Sequence, residues 1–412
     1  MTMNRVANRS KPQAILFLGT NFRPDVVDMI HAWGYQYLSI NRHVGLREAQ
    51  HVDGAIMCDL NDDGAVHGAV KRLGERWCIE ALLSFNEYRV EAASLLAQEL
   101  GLPHPSGVSQ VRFKHRMRQA LRDHGVPVPH FATVRDPSEV DGLKQEFALP
   151  VVVKPVNDSG SRQVRLCHSW VEVAAAVDAV LTGQNLVKSN VAKVCLVEEF
   201  VPGPEYSVEC FTWQGETTVV AITEKLTTAG PTFVELQHVI PAALSRNQRD
   251  QVANAAIRAI TSAGLDNTVS HVEVRWNVNR HRPYIIEINP RPGGDSIPDL
   301  VYAVTGWNLH HVAVEIALGK DPVRFAPPAE PSANTAGIRF FCAETPGVCV
   351  YPGDLGSQLE IREWRMFTKS GRRVVTTEDN FTRLGYMLVC ATNRQQLETI
   401  FQHGLQLVSI TG

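Results

Sequence analysis

The stretch IIEINPRPGG, residues 285–294, limits the fold more than any other part of the sequence. Its isoleucines predict a buried β-strand, yet Glu287 and Asn289 alternate with them, and Arg291 follows between two prolines. Polar groups in a buried strand need partners, because removing an unpaired polar or charged group from water costs free energy. An acid, an amide and an arginine at the end of one strand therefore predict a polar site built onto a sheet.

A second strand of similar character, HVEVRW, precedes this stretch at residues 271–276. Side chains alternate between the two faces of a strand, so His271 and Glu273 share one face. If the two strands pair antiparallel, Glu273, Glu287 and Asn289 converge as three oxygen ligands. Magnesium prefers oxygen donors and is typically held by one or two carboxylates together with substrate phosphates. The pattern predicts a magnesium site; the alternative is a half-exposed hairpin with solvated acids.

Two lysines are placed to hold the phosphates that such an ion would accompany. Lys154 ends the apolar run LPVVVK, where burial without a counter-ion would be costly, so a phosphate is a natural partner. The Gly/Ser loop at residues 157–162 can cradle phosphates with its backbone N–H groups, although most such loops are simple hairpin turns. Lys114 lies in a basic segment, residues 110–123, that we predict to be one helix; a solvated helix face is the alternative.

The strand LVEEFVPGPE, residues 196–205, has the character of a nucleotide-base site. Its end can offer an adenine a backbone edge, with Phe200 and Val201 as an apolar wall. Glu205 lies a few residues further along, where a carboxylate can accept hydrogen bonds from ribose hydroxyls. Taken alone, this segment is only a strand end.

Chain length and element order predict several domains. At 412 residues the chain is too long for one simple core. Residues 14–101 alternate strand and helix patterns, which predicts an open α/β sheet of the Rossmann-like class. Its first turn, GTNFRP, lacks the G-x-G-x-x-G pattern, so dinucleotide binding has little support.

Composition excludes several classes of function. A formal net charge of −3 gives no basic field, so we expect neither a nucleic-acid nor a membrane partner. No apolar run approaches the roughly 18 residues of a spanning helix. The basic and then apolar N-terminus lacks the cleavage site of a signal peptide. Eight cysteines without a C-x-x-C pair favour a reduced, cytoplasmic enzyme.

Together, the two lysines, VEEFVPGPEYSVE, HVEVRW and EINPRPGG occur in an order and at spacings that resemble the ATP-grasp superfamily, over roughly residues 10–320. The resemblance implies a mixed α/β and α+β chain with the ATP-grasp fold. It implies four regions: a Rossmann-like domain at 1–109, a small lid subdomain at 110–198, a large subdomain with the metal site at 199–324, and a C-terminal α+β subdomain at 325–412.

The resemblance also implies roles for individual residues. The implied ATP-binding residues are Lys114, Lys154, Ser159, Gly160, Ser161, Glu198, Glu199, Phe200, Val201 and Glu205. Glu273, Glu287 and Asn289 would bind magnesium, and Arg291 would face the transferred phosphoryl group. The implied cofactors are ATP and Mg²⁺, with two ions expected and Mn²⁺ able to substitute.

Within the superfamily, the chain is most similar to carboxylate–amine ligases that include the L-amino acid ligases of the bacilysin-synthetase type. GPTFVELQHVIPAAL at 230–244 and the histidine of HVE carry this similarity, and NDSGSRQ lacks the several glycines of biotin carboxylases. The implied substrate-binding residues are Glu235, His238, Gly293 and Gly294. His271 is a candidate general base, a structural histidine being the alternative.

The implied reaction joins a carboxylic or amino acid to an amino acid through an acyl phosphate, releasing ADP and phosphate. The expected partners are these small molecules, and a homodimer is compatible with the resemblance. Two other interpretations stay open: another ATP-grasp ligase, of the nucleotide-pathway or biotin-carboxylase kind, and a non-catalytic nucleotide-binding module.

Overall fold

The structure is a computed structural model that describes residues 11–20, 22–183, 193–325, 328–354, 356 and 361–411. The outermost residues of the expected N-terminal and C-terminal regions, 1–10 and 412, lie outside this part. The described strands form four sheets. Among the described residues, no helix is both long and apolar enough to span a membrane.

The N-terminal region forms a parallel sheet, as the alternating pattern predicted. Its elements are β1 (Gln13–Leu18), α1 (Pro24–Ala32), β2 (Gln36–Asn41), α2 (Leu46–Ala49), β3 (Gly54–Met57), α3 (Asp63–Arg76), β4 (Cys78–Leu83) and α4 (Val90–Glu99). The strand order is β3-β2-β1-β4, and all pairs are parallel. Parallel strands need covered faces. β1, which is buried from Ala14 to Leu18, meets this requirement with Ile15 packed on one side and Leu16 on the other.

A small antiparallel sheet follows two short helices. These elements are α5 (Val108–Arg112), α6 (Lys114–Asp123), β5 (Phe131–Val134), a 3₁₀ turn (Pro137–Glu139), α7 (Val140–Leu143), β6 (Val151–Pro155), β7 (Arg165–Cys167), α8 (Trp170–Thr182) and β8 (Cys195–Glu199). The strand order is β5-β8-β6-β7. The Gly/Ser loop, residues 157–162, connects β6 to β7 at one end of this small sheet.

The basic segment 110–123 is not one helix, so that prediction was wrong. Phe113 is extended, with φ −105° and ψ 113°, and separates α5 from α6. The backbone N–H of Lys114 donates to the carbonyl of Val156 at 2.8 Å, which fixes the break. The solvated-face alternative fails as well, because Arg112 and Arg118 are buried along with Lys114.

The remaining elements build a large sheet and its helices. They are β9 (Glu205–Trp213), β10 (Glu216–Thr227), β11 (Glu235–Ile240), α9 (Arg246–Ser262), β12 (Thr268–Asn277), β13 (Arg282–Asn289), α10 (Ile297–Thr305), α11 (Leu309–Ala317), α12 (Pro322–Phe325), β14 (Thr335–Phe341), β15 (Gly347–Val350), β16 (Glu363–Met366), β17 (Arg372–Val374), β18 (Gly385–Ala391), α13 (Arg394–Gln406) and β19 (Ser409–Thr411). The large sheet has the order β13-β12-β9-β10-β11-β14-β18-β16, and β17-β15-β19 form a three-stranded sheet.

Strands from the C-terminal region continue the large sheet. β14 pairs antiparallel with β11, and β18 pairs with β14. The segment after residue 325 therefore extends the sheet that carries the predicted metal ligands, and its backbone hydrogen bonds are made to β11, which carries Glu235 and His238. This arrangement brings the loop before β18 close to the site described below.

The predicted hairpin of β12 and β13 is confirmed. The two strands are antiparallel, His271 lies opposite Asn289, and Glu273 lies opposite Glu287. Their apolar residues, among them Val272 and Ile288, face a core that includes α9. Burial of this face leaves the polar residues of the hairpin on the opposite side, where the cavity opens.

Two glycines of the segment GLPHPSG provide a matched test of the packing around α5. Both have positive φ, +68° at Gly101 and +73° at Gly107. A Cβ at Gly107 would lie 2.5 Å from the carbonyl oxygen of Gly264, whereas nothing lies within 4 Å at Gly101. We expect Gly101→Ala to cost about 1–2 kcal/mol and Gly107→Ala about 1–3 kcal/mol more. Thermal unfolding should show the larger loss for Gly107→Ala; equal losses would contradict the close contact.

Candidate active site

A cavity of about 290 Å³ lies between the small sheet and the large sheet. Every residue predicted for the site lines it except His238 and Gly293. The cavity also contains residues that the sequence did not reveal, among them Arg275, Asp295 and Arg383. The structure thus brings the predicted residues together, while their individual roles remain proposals.

Lys154 has a protein counter-ion, Glu198, whereas the sequence analysis named only a phosphate as its natural partner. Its Nζ lies 2.5 Å from Oε1 of Glu198, and Nη2 of Arg118 lies 2.6 Å from Oε2 of the same carboxylate. Burial disfavours the charge on Glu198, but Arg118 and Lys154 outweigh burial and lower its pKa. Glu198 therefore fixes the direction of Lys154, and each of its two oxygens meets one cation.

Lys114 contacts both the Gly/Ser loop and the hairpin of β12 and β13. Its Nζ donates to the backbone carbonyl of Asp158 at 2.9 Å and to Oε1 of Glu287 at 3.0 Å. Lys114 is the first residue of α6, directly after the extended Phe113, and it lines the cavity. One cation therefore lies between the loop predicted for phosphates and a carboxylate predicted for magnesium.

The three predicted metal ligands have the donor set that a hard cation requires. Burial, followed by the charges of Glu273 and Glu87, raises the pKa of Glu287, although Lys114 acts in the opposite direction. The amide of Asn289, turned with its nitrogen inward, donates to Glu287 at 3.2 Å and to Glu87 at 2.8 Å. If the amide is turned with its oxygen inward, Asn289 offers an oxygen ligand beside the carboxylates of Glu273 and Glu287. A divalent cation suits this set, because it would relieve the repulsion between the acids.

Lys225 is a buried cation that the sequence analysis missed. Its side chain is 1% exposed and its Nζ contacts three carboxylates: Glu205 at 3.3 Å, Glu235 at 2.5 Å and Glu273 at 2.7 Å. Burial disfavours its charge, but the three acids raise its pKa well above the ordinary value. The residues predicted for ribose, substrate and metal are thus held around one ammonium group. A lone lysine inside the strand AITEKLT was the available signal.

His271 is held at both ring nitrogens. Its Nδ1 lies 2.9 and 3.0 Å from the two oxygens of Glu209, and Nε2 lies 3.5 Å from Glu273. Burial opposes protonation, but Glu209 raises the pKa of His271 to about 9. A Cβ at Gly293 would lie 2.9 Å from Nδ1, so this glycine makes room for the ring. A general base must be neutral, and this environment favours the imidazolium instead.

Arg291 is positioned by an acid from the N-terminal region. Its Nε donates to Oε2 of Glu87 at 2.7 Å, and Nη1 donates to the carbonyl of Pro292 at 2.9 Å. Further N–H donors of the guanidinium stay available for an oxyanion. Glu87 also pairs with Arg112 at 3.5 Å. Because Glu87 is 204 positions from Arg291, the sequence pattern gave no sign of this pairing.

One end of the cavity has an aromatic wall. The rings of Phe200 and Phe233 are stacked at 6.3 Å, and the guanidinium carbon of Arg275 lies 5.3 and 5.7 Å from their centres. Arg275 is also paired with Glu205 at 3.2 Å. A planar base can stack against such a surface.

The cavity also contains a second charge cluster, around Asp295 and Arg383. Asp295, directly after the Gly293–Gly294 pair, receives two hydrogen bonds from Arg383 at 2.7 and 2.8 Å. Nε2 of His238 lies 3.3 Å from Asp295 and 3.7 Å from Glu235. Burial disfavours the charge on Asp295, but His238 and Arg383 hold its pKa well below the ordinary value.

Comparison with known proteins agrees with this geometry. Residues 147–299 match the model of the ATP-grasp domain. Carnosine synthase 1 of Gallus gallus is 31% identical over 285 residues, which cover 64% of this chain and 30% of that protein. Alanine–anticapsin ligase of Bacillus subtilis is 26% identical over 286 residues, covering 64% of this chain and 59% of that protein.

Structural similarity to a solved protein covers more of the chain than these two sequence matches do. The crystal structure of L-amino acid ligase from Bacillus licheniformis superposes with a TM-score of 0.84 at 20% identity, covering 97% of this chain and 98% of that one. The chain has the ATP-grasp fold, and residues 147–299 match the ATP-grasp domain itself. The chain spans about a third of the carnosine synthase and three-fifths of the anticapsin ligase.

Lys225→Met tests how strongly the site depends on its central cation. Removing one partner of a buried ionic cluster leaves uncompensated charge, which typically costs roughly 3–5 kcal/mol. Lys144→Met is the control, because its ion pair with Asp141, at 2.7 Å, is exposed to solvent, and such pairs contribute little to stability. Denaturant unfolding with a chelator and no nucleotide should separate the two variants. Similar small losses would show that Lys225 does not organise the acids.

Proposed function

We propose that this protein joins the carboxylate of one small acid or amino acid to the amine of an amino acid, using ATP and releasing ADP and phosphate. The observation that carries the proposal is the position of Lys114, which contacts the Gly/Ser loop and Glu287 at once. The loop proposed to bind phosphates and the carboxylate proposed to bind metal are therefore neighbours in one cavity. The relatives that make amide bonds support the same reaction class.

The aromatic wall is the proposed adenine site, and the two lysines are proposed to hold the phosphates. Lys154 is aimed by Glu198, and Lys114 is aimed by Glu287 and the carbonyl of Asp158. In this site Glu205 would accept from ribose hydroxyls, and Ser159, Gly160 and Ser161 would contact phosphates. Phosphoryl transfer depends mainly on such positioning and on charge neutralisation.

Glu273, Glu287 and Asn289 are the residues proposed to hold Mg²⁺, which ATP-grasp enzymes use with ATP. The ion would neutralise charge on the phosphates when bound. We propose two ions, with Mn²⁺ able to substitute, because the set offers two carboxylates and an amide oxygen. His271 is proposed to orient Glu273 rather than to act as a base, since both of its ring nitrogens are engaged.

The carboxylate to be activated would lie near Arg291. A free carboxylate does not acylate an amine in water, whereas an acyl phosphate does, with phosphate as the leaving group. Arg291 is proposed to stabilise charge on the transferring group and then on the tetrahedral adduct. Glu235 and Gly294 would border the substrate, with His238 behind Glu235. Closure of the small sheet would exclude water.

We also propose the division into regions 1–109, 110–198, 199–324 and 325–412, as well as a cytoplasmic location. The free state of all eight cysteines supports a reducing compartment. A homodimer is the assembly to test by measuring mass in solution.

The proposed reaction is tested by the products formed from ATP. Purified protein with magnesium should release phosphate and ADP only when a suitable pair of acids, at least one an amino acid, is present. Glu287→Gln should abolish this release, because it removes a metal carboxylate at nearly constant volume. AMP as the main nucleotide product would contradict the proposal, and release that depends on bicarbonate would favour a carboxylase-type ligase.

Arg291→Lys keeps the charge but should be a poor substitute. A lysine cannot hold Glu87 and an oxyanion with the same planar geometry. The loss should appear mainly in kcat, by roughly a hundredfold or more, while ATP affinity changes little. Arg258→Lys is the control, because Arg258 lies outside the cavity and donates to the carbonyl of Gly125. A kcat within about threefold of wild type would make Arg291 a structural residue.

A further inference from the structure

The loop between β17 and β18, residues 375–384, belongs to the cavity although it lies far outside the stretch that matches the ATP-grasp domain. Asn380, Phe381 and Arg383 of this C-terminal loop line the cavity. None of them was indicated by the sequence pattern. Their contacts connect the C-terminal loop to the Gly/Ser loop, which is proposed to bind phosphates, and to Glu235, which is proposed to bind substrate.

One side of the C-terminal loop fastens the Gly/Ser loop. The backbone N–H of Asn380 donates to the carbonyl of Gly160 at 3.2 Å. The ring of Phe381 covers Gly160 so closely that a Cβ there would lie 2.5 Å from it. The guanidinium of Arg162 lies 4.8 Å from the centre of the same ring. A hydrogen bond, a van der Waals contact and a cation–π contact thus hold the loop that is proposed to bind phosphates.

The other side of the C-terminal loop holds the proposed substrate residue Glu235. The side chain of Asn380 donates to Oε2 of Glu235 at 2.8 Å and accepts from its backbone N–H at 3.0 Å. Arg383 donates to the carbonyl of Asn380 at 2.8 Å and to both oxygens of Asp295. Its guanidinium carbon lies 3.6 Å from the ring centre of Phe340. The backbone of Asn380 is therefore fixed while its side chain orients a carboxylate.

We propose that Asn380 and Phe381 are positioning residues that link the nucleotide end of the site to the end that binds the second substrate. The proposal rests on the proposed function for the identity of that substrate. Phe381 acts on the nucleotide through the Gly/Ser loop, and Asn380 acts on the amino-acid or carboxylate substrate through Glu235.

The exposure of Phe381 agrees with this role. The ring is 55% exposed, so the core of the C-terminal region does not explain its position. The loop it covers contains only small or polar residues between Asn157 and Arg162, and such loops have little apolar surface with which to fix themselves. Gly160 has φ +70°, and the absence of its Cβ is what allows the ring to approach. Precise placement of phosphates requires that the groups around them are held in turn.

The test compares Phe381→Ala, Asn380→Ala and the control Asn334→Ala. Asn334 lies in the same region and donates to the carbonyl of Thr392 at 3.1 Å, away from the cavity. Calorimetric titration with ADP and magnesium measures the nucleotide end. The KM of the amino acid that supports phosphate release measures the other end, and melting temperatures of all variants are recorded.

Phe381→Ala should weaken ADP binding about threefold to tenfold, the range expected for losing one contact of this kind. Asn380→Ala keeps the backbone bond to Gly160, so it should raise the amino-acid KM by a similar factor while the Kd for ADP stays within about twofold. Phe381→Leu, which keeps apolar contact with Gly160, should recover part of the ADP affinity. Asn334→Ala should change neither quantity.

Two results would overturn the proposal. One is an unchanged Kd for ADP in Phe381→Ala. The other is that Phe381→Ala and Asn380→Ala both change the Kd for ADP and the amino-acid KM equally and also lower the melting temperature, which indicates a structural role alone. If no amino acid supports phosphate release by the wild type, the proposed function fails and the role of Asn380 fails with it. The ADP titration of Phe381→Ala then still decides the link to the nucleotide end by itself.

Discussion

Charge compensation inside the cavity is the constraint on which the rest of the site depends. Glu198 is balanced by Lys154 and Arg118, and Lys225 balances three acids from three strands. Buried ions are strongly unfavourable unless they are paired. The pairing therefore explains why cations from α6, the small sheet and the large sheet meet acids at one place. It also fixes the directions in which the unpaired donors can meet an anionic ligand.

The hairpin of the metal site could be predicted because its information is local. Strand residues alternate faces, and two strands joined by a short connection have few registers to choose from, so Glu273 and Glu287 were expected on one face and lie directly opposite each other. The parallel N-terminal sheet was predictable for the same reason. The break at Phe113 was not, because it depends on a hydrogen bond between Lys114 and Val156, which belongs to another element.

The residues that were missed have partners that are distant in the sequence. Glu87 meets Arg291 across 204 positions, and Arg383 meets Asp295 across 88. Neither pairing leaves a periodic pattern, and each residue alone has the appearance of an ordinary surface charge. The resemblance to the ATP-grasp superfamily located the nucleotide residues but did not indicate the C-terminal loop. The motif that contains Glu198 was recognised in the same way, but its pairing with Arg118 and Lys154 could not be read from the sequence.

The continuity of the large sheet across β11 and β14 has a consequence for how the chain can be divided. The matched stretch at residues 147–299 includes β11 and its partner β10, but not β14, which pairs with the other edge of β11. A fragment that ends before β14 would leave β11 with a free row of backbone donors and acceptors beside the buried side chains of Val239 and Ile240. Exposed, flat and apolar sheet edges promote association between chains. The stretch that matches the ATP-grasp domain is therefore expected to be shorter than the smallest fragment of this protein that folds without associating.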